Sequence, residues 1–278
     1  MLTVAKFGGS SLGDSARFLQ VAELIRQDPS RQVVVVSAAG RRHRDDTKIT
    51  DLLYACHGRL AAGTDCRSLF DRVRRRYLEI RDGCGLQLAL EPILDETEER
   101  LGESAAYAAS RGEYLSALLM AELVGYRFLD SARWLRFGTD GTVDEAISCS
   151  TLRQLTGGQP VVLPGFYGAD VHGQICTFSR GGSDVTGSLA AAWLQADLYE
   201  NWTDVPGVFS ADPMVCPQAE PLPRMTYAQL WERAKNGLQV FHADAVAPVW
   251  RAGIPLRICS TRAPQLPGTW VFSAEKGG

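Results

Sequence analysis

Gln32–Ser37 is a run of four valines between two polar residues, and few environments accept it. Branched side chains on both sides of a pleat suit a strand covered on both faces, as in the parallel sheets of α/β proteins. What precedes it agrees. Leu2–Phe7 reads as a short apolar strand, and Ser15–Gln27 carries Ala16, Leu19, Ala22, Leu24 and Ile25 on a helical stripe before Asp28-Pro29-Ser30 breaks it. Strand, helix and strand in such a short span form a βαβ unit.

The alternation continues. Ala38–Thr50 is polar and loop-like. Asp51–Leu60, Arg67–Arg81, Glu91–Arg100 and Glu113–Leu123 read as helices, the last entered through Arg111-Gly112. Tyr126–Leu129, Pro160–Pro164, Gln174–Phe178, Leu198–Trp202, Pro255–Ser260 and Thr269–Phe272 read as strands. Asp184–Leu194, Tyr227–Lys235 and Asp244–Arg251 read as helices, and Ser210–Pro223 as a proline-rich loop. The fold class is therefore α/β, with an open, mostly parallel sheet sandwiched between helices. A soft boundary falls near Ala169–Gln174.

Charge and cysteine usage narrow the function. A net charge of −3 gives no reason to expect nucleic acid or an anionic membrane as partner. No stretch approaches the roughly 18 apolar residues of a membrane span, and Met1–Phe7 lacks the regions of a signal peptide. The seven cysteines are scattered without a C-x-x-C pair, which fits free thiols in a cytoplasmic protein and assigns no metal site. Two basic clusters stand out, Arg41–Arg44 and Arg72–Arg76; the second reads as a solvated helix face.

Three loops carry chemistry. Lys6-Phe7-Gly8-Gly9-Ser10-Ser11 leaves a strand toward a helix, so glycine amides and a lysine can meet a phosphate. It is not a Walker A loop, because the chain has no Gly-Lys dipeptide. Arg180-Gly181-Gly182-Ser183-Asp184 opens a helix, which makes it an anion site with a guanidinium fork. Thr203-Asp204-Val205-Pro206-Gly207 ends another strand. Loops that follow parallel strands collect at the carboxyl edge of the sheet, where α/β proteins bind ligands.

Together Lys6–Ser11, Gly112-Glu113, Arg180–Asp184 and Thr203–Asp212 resemble the aspartate kinases of the amino acid kinase family. Val34–Ala38, Thr50–Leu53, Gly165-Phe166 and Val240–Pro248 support the match, which runs from Lys6 to about Ile258. The resemblance implies one domain with an amino-acid lobe (1–170) and a nucleotide lobe (171–278). It implies ATP and Mg2+ as cofactors, L-aspartate or a similar acid as small-molecule substrate, and transfer of the γ-phosphoryl group to the β-carboxylate. It also allows a homodimer. Kinases of other amino-acid or hydroxy-acid carboxylates, and a nucleotide-binding regulatory protein of the same fold, are the alternatives.

By the same resemblance Lys6 follows the transferring phosphoryl, with Gly8, Gly9 and Ser10 as amide donors. Asp184 orients the lysine and glycine loops, with a plain helix cap as its structural alternative. Arg180 clamps the α-carboxylate of the acid, Glu113 its ammonium, and Thr50 and Ser183 complete the substrate site. Thr203, Asp204, Phe209 and Asp212 serve the nucleotide. Many relatives carry a tyrosine at Phe209, an arginine at Met214 and a lysine at Gln239, and residues other than Cys176 and Ser179 before the RGGSD run. The Arg41–Lys48 loop is longer than in many relatives, and its arginines come within the range of substrate or nucleotide. Typical relatives continue into a pair of regulatory domains; Arg262–Gly278 is too short for one, so activity without lysine or threonine feedback is the expectation.

Overall fold

The computed structural model describes residues 1–178, 181–211, 216, 218–236 and 241–273. In chain order these form β1 (Thr3–Phe7), α1 (Ser15–Gln27), β2 (Val33–Val36), α2 (Ile49–Ala61), α3 (Arg67–Gly83), α4 (Leu90–Arg100), α5 (Ala105–Val124) and β3 (Arg127–Phe128). Then come α6 (Glu145–Thr156), β4 (Val161–Pro164), β5 (Tyr167–Ala169), β6 (Ile175–Thr177), α7 (Gly182–Leu194) and β7 (Leu198–Thr203). The chain closes with β8 (Arg224–Thr226), α8 (Tyr227–Lys235), α9 (Ala243–Arg251), β9 (Leu256–Ser260) and β10 (Thr269–Phe272).

The main sheet runs β3-β4-β2-β1-β7-β9-β10-β8. Among the described residues its pairings are parallel except that of β9 with β10, which is antiparallel. The valine run behaves as its composition demands. Val34 and Val36 enter the core shared with α1–α5, and Val33 and Val35 enter the opposite core, shared with α6–α9. Strand alternation thus splits one four-residue stretch between two helical layers.

Three expectations change. Gln174–Phe178 does not join the main sheet: β6 pairs antiparallel with β5 in a separate two-stranded ladder, so the RGGSD loop follows a hairpin rather than a parallel strand. Helix α5 begins at Ala105, capped by Ser104, whose side chain accepts the N–H of Tyr107. Arg111, Gly112 and Glu113 are therefore in its interior. Arg76, read as part of a solvated face, is only 4% exposed, because helical spacing sets it in the buried stripe of Val73, Tyr77 and Ile80. Helix α6 and strand β8, which no motif marked, complete the layers.

A buried ion pair braces the centre of the sheet. Glu200, on the third residue of β7, accepts from Arg31 Nε at 2.6 Å and Nη2 at 3.1 Å, and from Trp202 Nε1 at 2.9 Å. Arg257 on the neighbouring strand lies 3.7 Å away. Removing the carboxylate would leave the buried guanidinium of Arg31, and the half-buried one of Arg257, without it. Glu200→Ala is expected to cost about 3–5 kcal/mol, with Glu200→Gln losing less. Urea unfolding checks this, through a lowered midpoint at unchanged slope.

Candidate active site

Lys6 is the penultimate residue of β1, and alternation turns it to the same face as Val4, the face covered by α7. It is 8% exposed, and its Nζ forms an ion pair with Oδ1 of Asp184. Asp184 is the third residue of α7, where free N–H groups and the helix dipole favour a negative charge. It is not the helix cap. That position belongs to Gly181, at φ 70°, and a Cβ there would stand 2.4 Å from His242. Glycine is required on both counts.

After β1 the chain makes a single 3₁₀ turn at Gly9–Ser11. The Gly8 N–H already donates to the Trp202 carbonyl at 3.0 Å, extending the β1–β7 ladder. The N–H groups of Gly9 and Ser10 have no acceptor among the described residues, so they are the donors available to a ligand. The glycines also allow two loops to touch. Gly40 N–H donates to the Gly9 carbonyl at 2.9 Å, and a Cβ on Gly40 would lie 2.4 Å from that oxygen. Arg17 fastens the same contact, donating to the carbonyls of Ser10 (3.1 Å), Arg41 (2.8 Å) and Arg42 (2.9 Å).

The opposite wall comes from α5. A Cβ on Gly112 would lie 2.6 Å from the Ala38 Cβ, so this glycine lets the helix close on the end of β2. Tyr77 Oη donates to the Gly112 carbonyl at 2.6 Å and accepts the Ala39 N–H at 3.4 Å, tying helix to loop. Glu113 is then 5% exposed, in the helix interior rather than at a helix start. Its Oε2 has no hydrogen-bond partner among the described residues. Burial pushes its carboxyl up to about 8, only partly offset by the Ala38 N–H.

At the end of β7, the Thr203 carbonyl accepts the N–H of Thr261 at 2.8 Å and its Oγ1 at 3.1 Å. Thr261 Oγ1 also lies 2.8 Å from Ser11 Oγ, joining the β9 end to the glycine turn. Asp204 faces Arg262 at 3.4 Å.

These elements enclose a cleft of about 630 Å³ lined by Lys6, Gly8, Gly9, Ser10, Thr50, Glu113, Asp184, Thr203 and Asp204. An adjoining hollow of about 200 Å³ shares Lys6, Glu113 and Asp184 and adds Ser183, Gly181 and Phe166. Phe209 is not among the lining residues of either; it is half-buried and bridged to Pro221. Arg180 and Asp212, with Ser179, Met214 and Gln239, lie outside the described residues. Sequence reasoning missed Arg17, Tyr77, Arg76 and Thr261. Each acts on backbone atoms, which leaves no motif; only the periodicity of α3 signals Arg76 and Tyr77.

Residues 1–260 match the amino acid kinase family. The chain is 37% identical over 292 aligned residues to Aspartokinase 3 of Bacillus subtilis, covering 98% of this chain and 64% of that protein. It superposes on the aspartate kinase of Clostridium acetobutylicum with a TM-score of 0.93 and 38% identity, over 100% of this chain and 64% of the other. It is also similar to E. coli aspartokinase III, solved in complex with aspartate and ADP, at TM-score 0.86 and 27% identity, over 100% of this chain and 66% of that one. The chain thus spans about two thirds of the length of these relatives.

The Glu113 carboxyl carries a pH signature. Its raised value means that the folded state holds a proton the unfolded chain gives up near the ordinary 4.5. The stability from this proton is fully present below 4.5 and is lost as pH rises through about 8. Glu113→Gln keeps the neutral shape, so it is expected to lose less stability than the parent between pH 6 and 9. Paired urea titrations at those two pH values check the slope.

Proposed function

Because the chain belongs to the amino acid kinase family, we propose that it transfers the γ-phosphoryl group of ATP to the β-carboxylate of L-aspartate, giving 4-phospho-L-aspartate. The observation that carries this reading is the buried Lys6–Asp184 pair at the junction of the two hollows, flanked by the free amides of Gly9 and Ser10. The names of the relatives, and the aspartate and ADP bound to E. coli aspartokinase III, support it.

The acceptor needs no general base, since a carboxylate with an ordinary value of about 3.9 is already ionised at neutral pH. A carboxylate oxygen attacks the γ-phosphorus as the bond to the bridging oxygen breaks, and ADP leaves with that electron pair. The difficulty is bringing one anion to another, and catalysis falls to positive charge and fixed N–H donors. Lys6 neutralises charge on the phosphoryl group as it passes, while Asp184 keeps the ammonium aimed at the junction. Glu113, once ionised, receives the substrate ammonium. Thr50 and Ser183 line the acid's side, and Thr203 and Asp204 the nucleotide's. Arg180 takes the α-carboxylate, a role assigned by its motif alone.

Mg2+ fits a cleft richer in cations than in carboxylates, because phosphate oxygens and water supply most of its ligands. Both aspartates lining the cleft are paired, Asp184 with buried Lys6 and Asp204 with exposed Arg262, so the more open Asp204 would be the one to face the hydrated ion. When bound, the ion neutralises the β- and γ-phosphates.

Hydroxylamine trapping of the acyl phosphate across L-aspartate, L-glutamate and related acids tests the reading. Lys6→Ala is expected to lower kcat on aspartate by about 10²–10³ or more while urea unfolding still shows a folded protein. Turnover of a different acid in preference to aspartate would move the assignment to that substrate. Nucleotide binding without turnover on any acid would overturn it.

A further inference from the structure

The cleft has one wall that the transfer reading does not use. Arg41, Arg42, His43 and Arg44 are consecutive and exposed, and all four line the hollow that holds Lys6, Gly9 and Ser10. Arg42 is spent on acids, 3.1 Å from both Asp46 and Glu79. Arg41 and Arg44 have no carboxylate within ion-pair distance among the described residues.

The backbone that carries them is held from beneath. Buried Arg76 donates to Asp46 at 2.5 Å and to the carbonyls of Gly13 (3.2 Å) and Gly40 (3.0 Å). Asp46 in turn accepts the Arg42 N–H at 2.9 Å. Burial works against the Asp46 charge, yet Arg42 and Arg76 hold its carboxyl well below the usual range. Arg17 binds the carbonyls of Arg41 and Arg42. Two guanidiniums thus fix a loop that presents two further guanidiniums to the cleft, neither with a carboxylate partner among the described residues. Such an arrangement favours a polyanion, which meets positive charge on a backbone already held in place.

Position in the sheet indicates which part of a nucleotide this would be. The loop follows β2, which flanks β1 on one side, whereas Thr203 and Asp204 follow β7 on the other. With Thr203 and Asp204 on the nucleotide's side, the terminal phosphate would lie across the glycine turn, toward the β2 side. Resting on the phosphoryl-transfer reading, we propose that Arg41 and Arg44 form a clamp for the terminal phosphate of the triphosphate, which makes this site discriminate ATP from ADP.

Calorimetric binding of ADP and of the non-hydrolysable β,γ-imido analogue of ATP, both with Mg2+, tests the clamp in the full chain. Both side chains are exposed, so the Arg41→Gln/Arg44→Gln double variant should fold as the parent does, which urea unfolding verifies. The expected result is a loss of about tenfold or more for the triphosphate analogue and a much smaller loss for ADP. The Arg41→Lys/Arg44→Lys variant is expected to recover part of the difference, since charge remains without the planar fork. Equal losses for the two nucleotides overturn the clamp, as does a change confined to the KM of the acid. Tight parental binding left unaltered in the double variant overturns the clamp alone. A parent that binds neither nucleotide overturns the transfer reading and the clamp with it.

Discussion

Burying a charge is costly unless a partner meets it, and the ion pair between Lys6 and Asp184 is where this structure answers that cost. Lys6 stands one residue from the end of a strand in the middle of the sheet, and Asp184 lies in the first turn of a helix that packs across it. Neither side chain has another charged partner among the described residues. The pair therefore ties the start of α7 to β1 beside the apolar contacts of Val4 with that helix. It also holds one ammonium at a fixed point where two hollows meet.

The loops around that point are located by contacts too close for side chains. Gly9 against Gly40, Gly112 against Ala38 and Gly181 against His242 each leave no room for a Cβ. These glycines serve first to bring backbone against backbone or against a neighbouring residue. The amides of Gly9 and Ser10 stay free of described acceptors because the turn is held through its carbonyls, which accept from Ser11, Leu12, Gly40 and Arg17. Phosphate recognition and loop packing thus draw on the same residues, through different atoms.

This explains what could be read before the fold was known. Periodicity located the valine strand, α1, α8 and the closing strands, since burial on a regular element leaves a regular trace. Motifs located Lys6, Glu113, Asp184, Thr203 and Asp204, all of which line one cleft. Gln174–Phe178 was legible as a strand but not in its partner, because a three-residue strand pairs by hairpin geometry that composition does not encode. The start of α5 was hidden by Gly112, which reads as a breaker but acts as a packing contact. Tyr77 and Thr261 were invisible as site residues because they bond to carbonyls and amides, which every residue possesses.

The use of arginine separates the two ends of the sheet. Near the amino ends of the strands, Arg31 meets Glu200 through two nitrogens and the charges cancel. At the carboxyl edge, Arg17 and Arg76 send most of their donors to backbone carbonyls, five in all. A carbonyl fixes a guanidinium without neutralising it. Each of the two also meets an acid, Arg76 with Asp46 at 2.5 Å and Arg17 with Asp14 at 3.4 Å. Rigidity comes from these anchors, while Arg41 and Arg44, without a carboxylate partner among the described residues, keep positive charge on the cleft wall. A site that must bring a carboxylate up to a polyphosphate needs both at once, and here different arginines of neighbouring elements provide them.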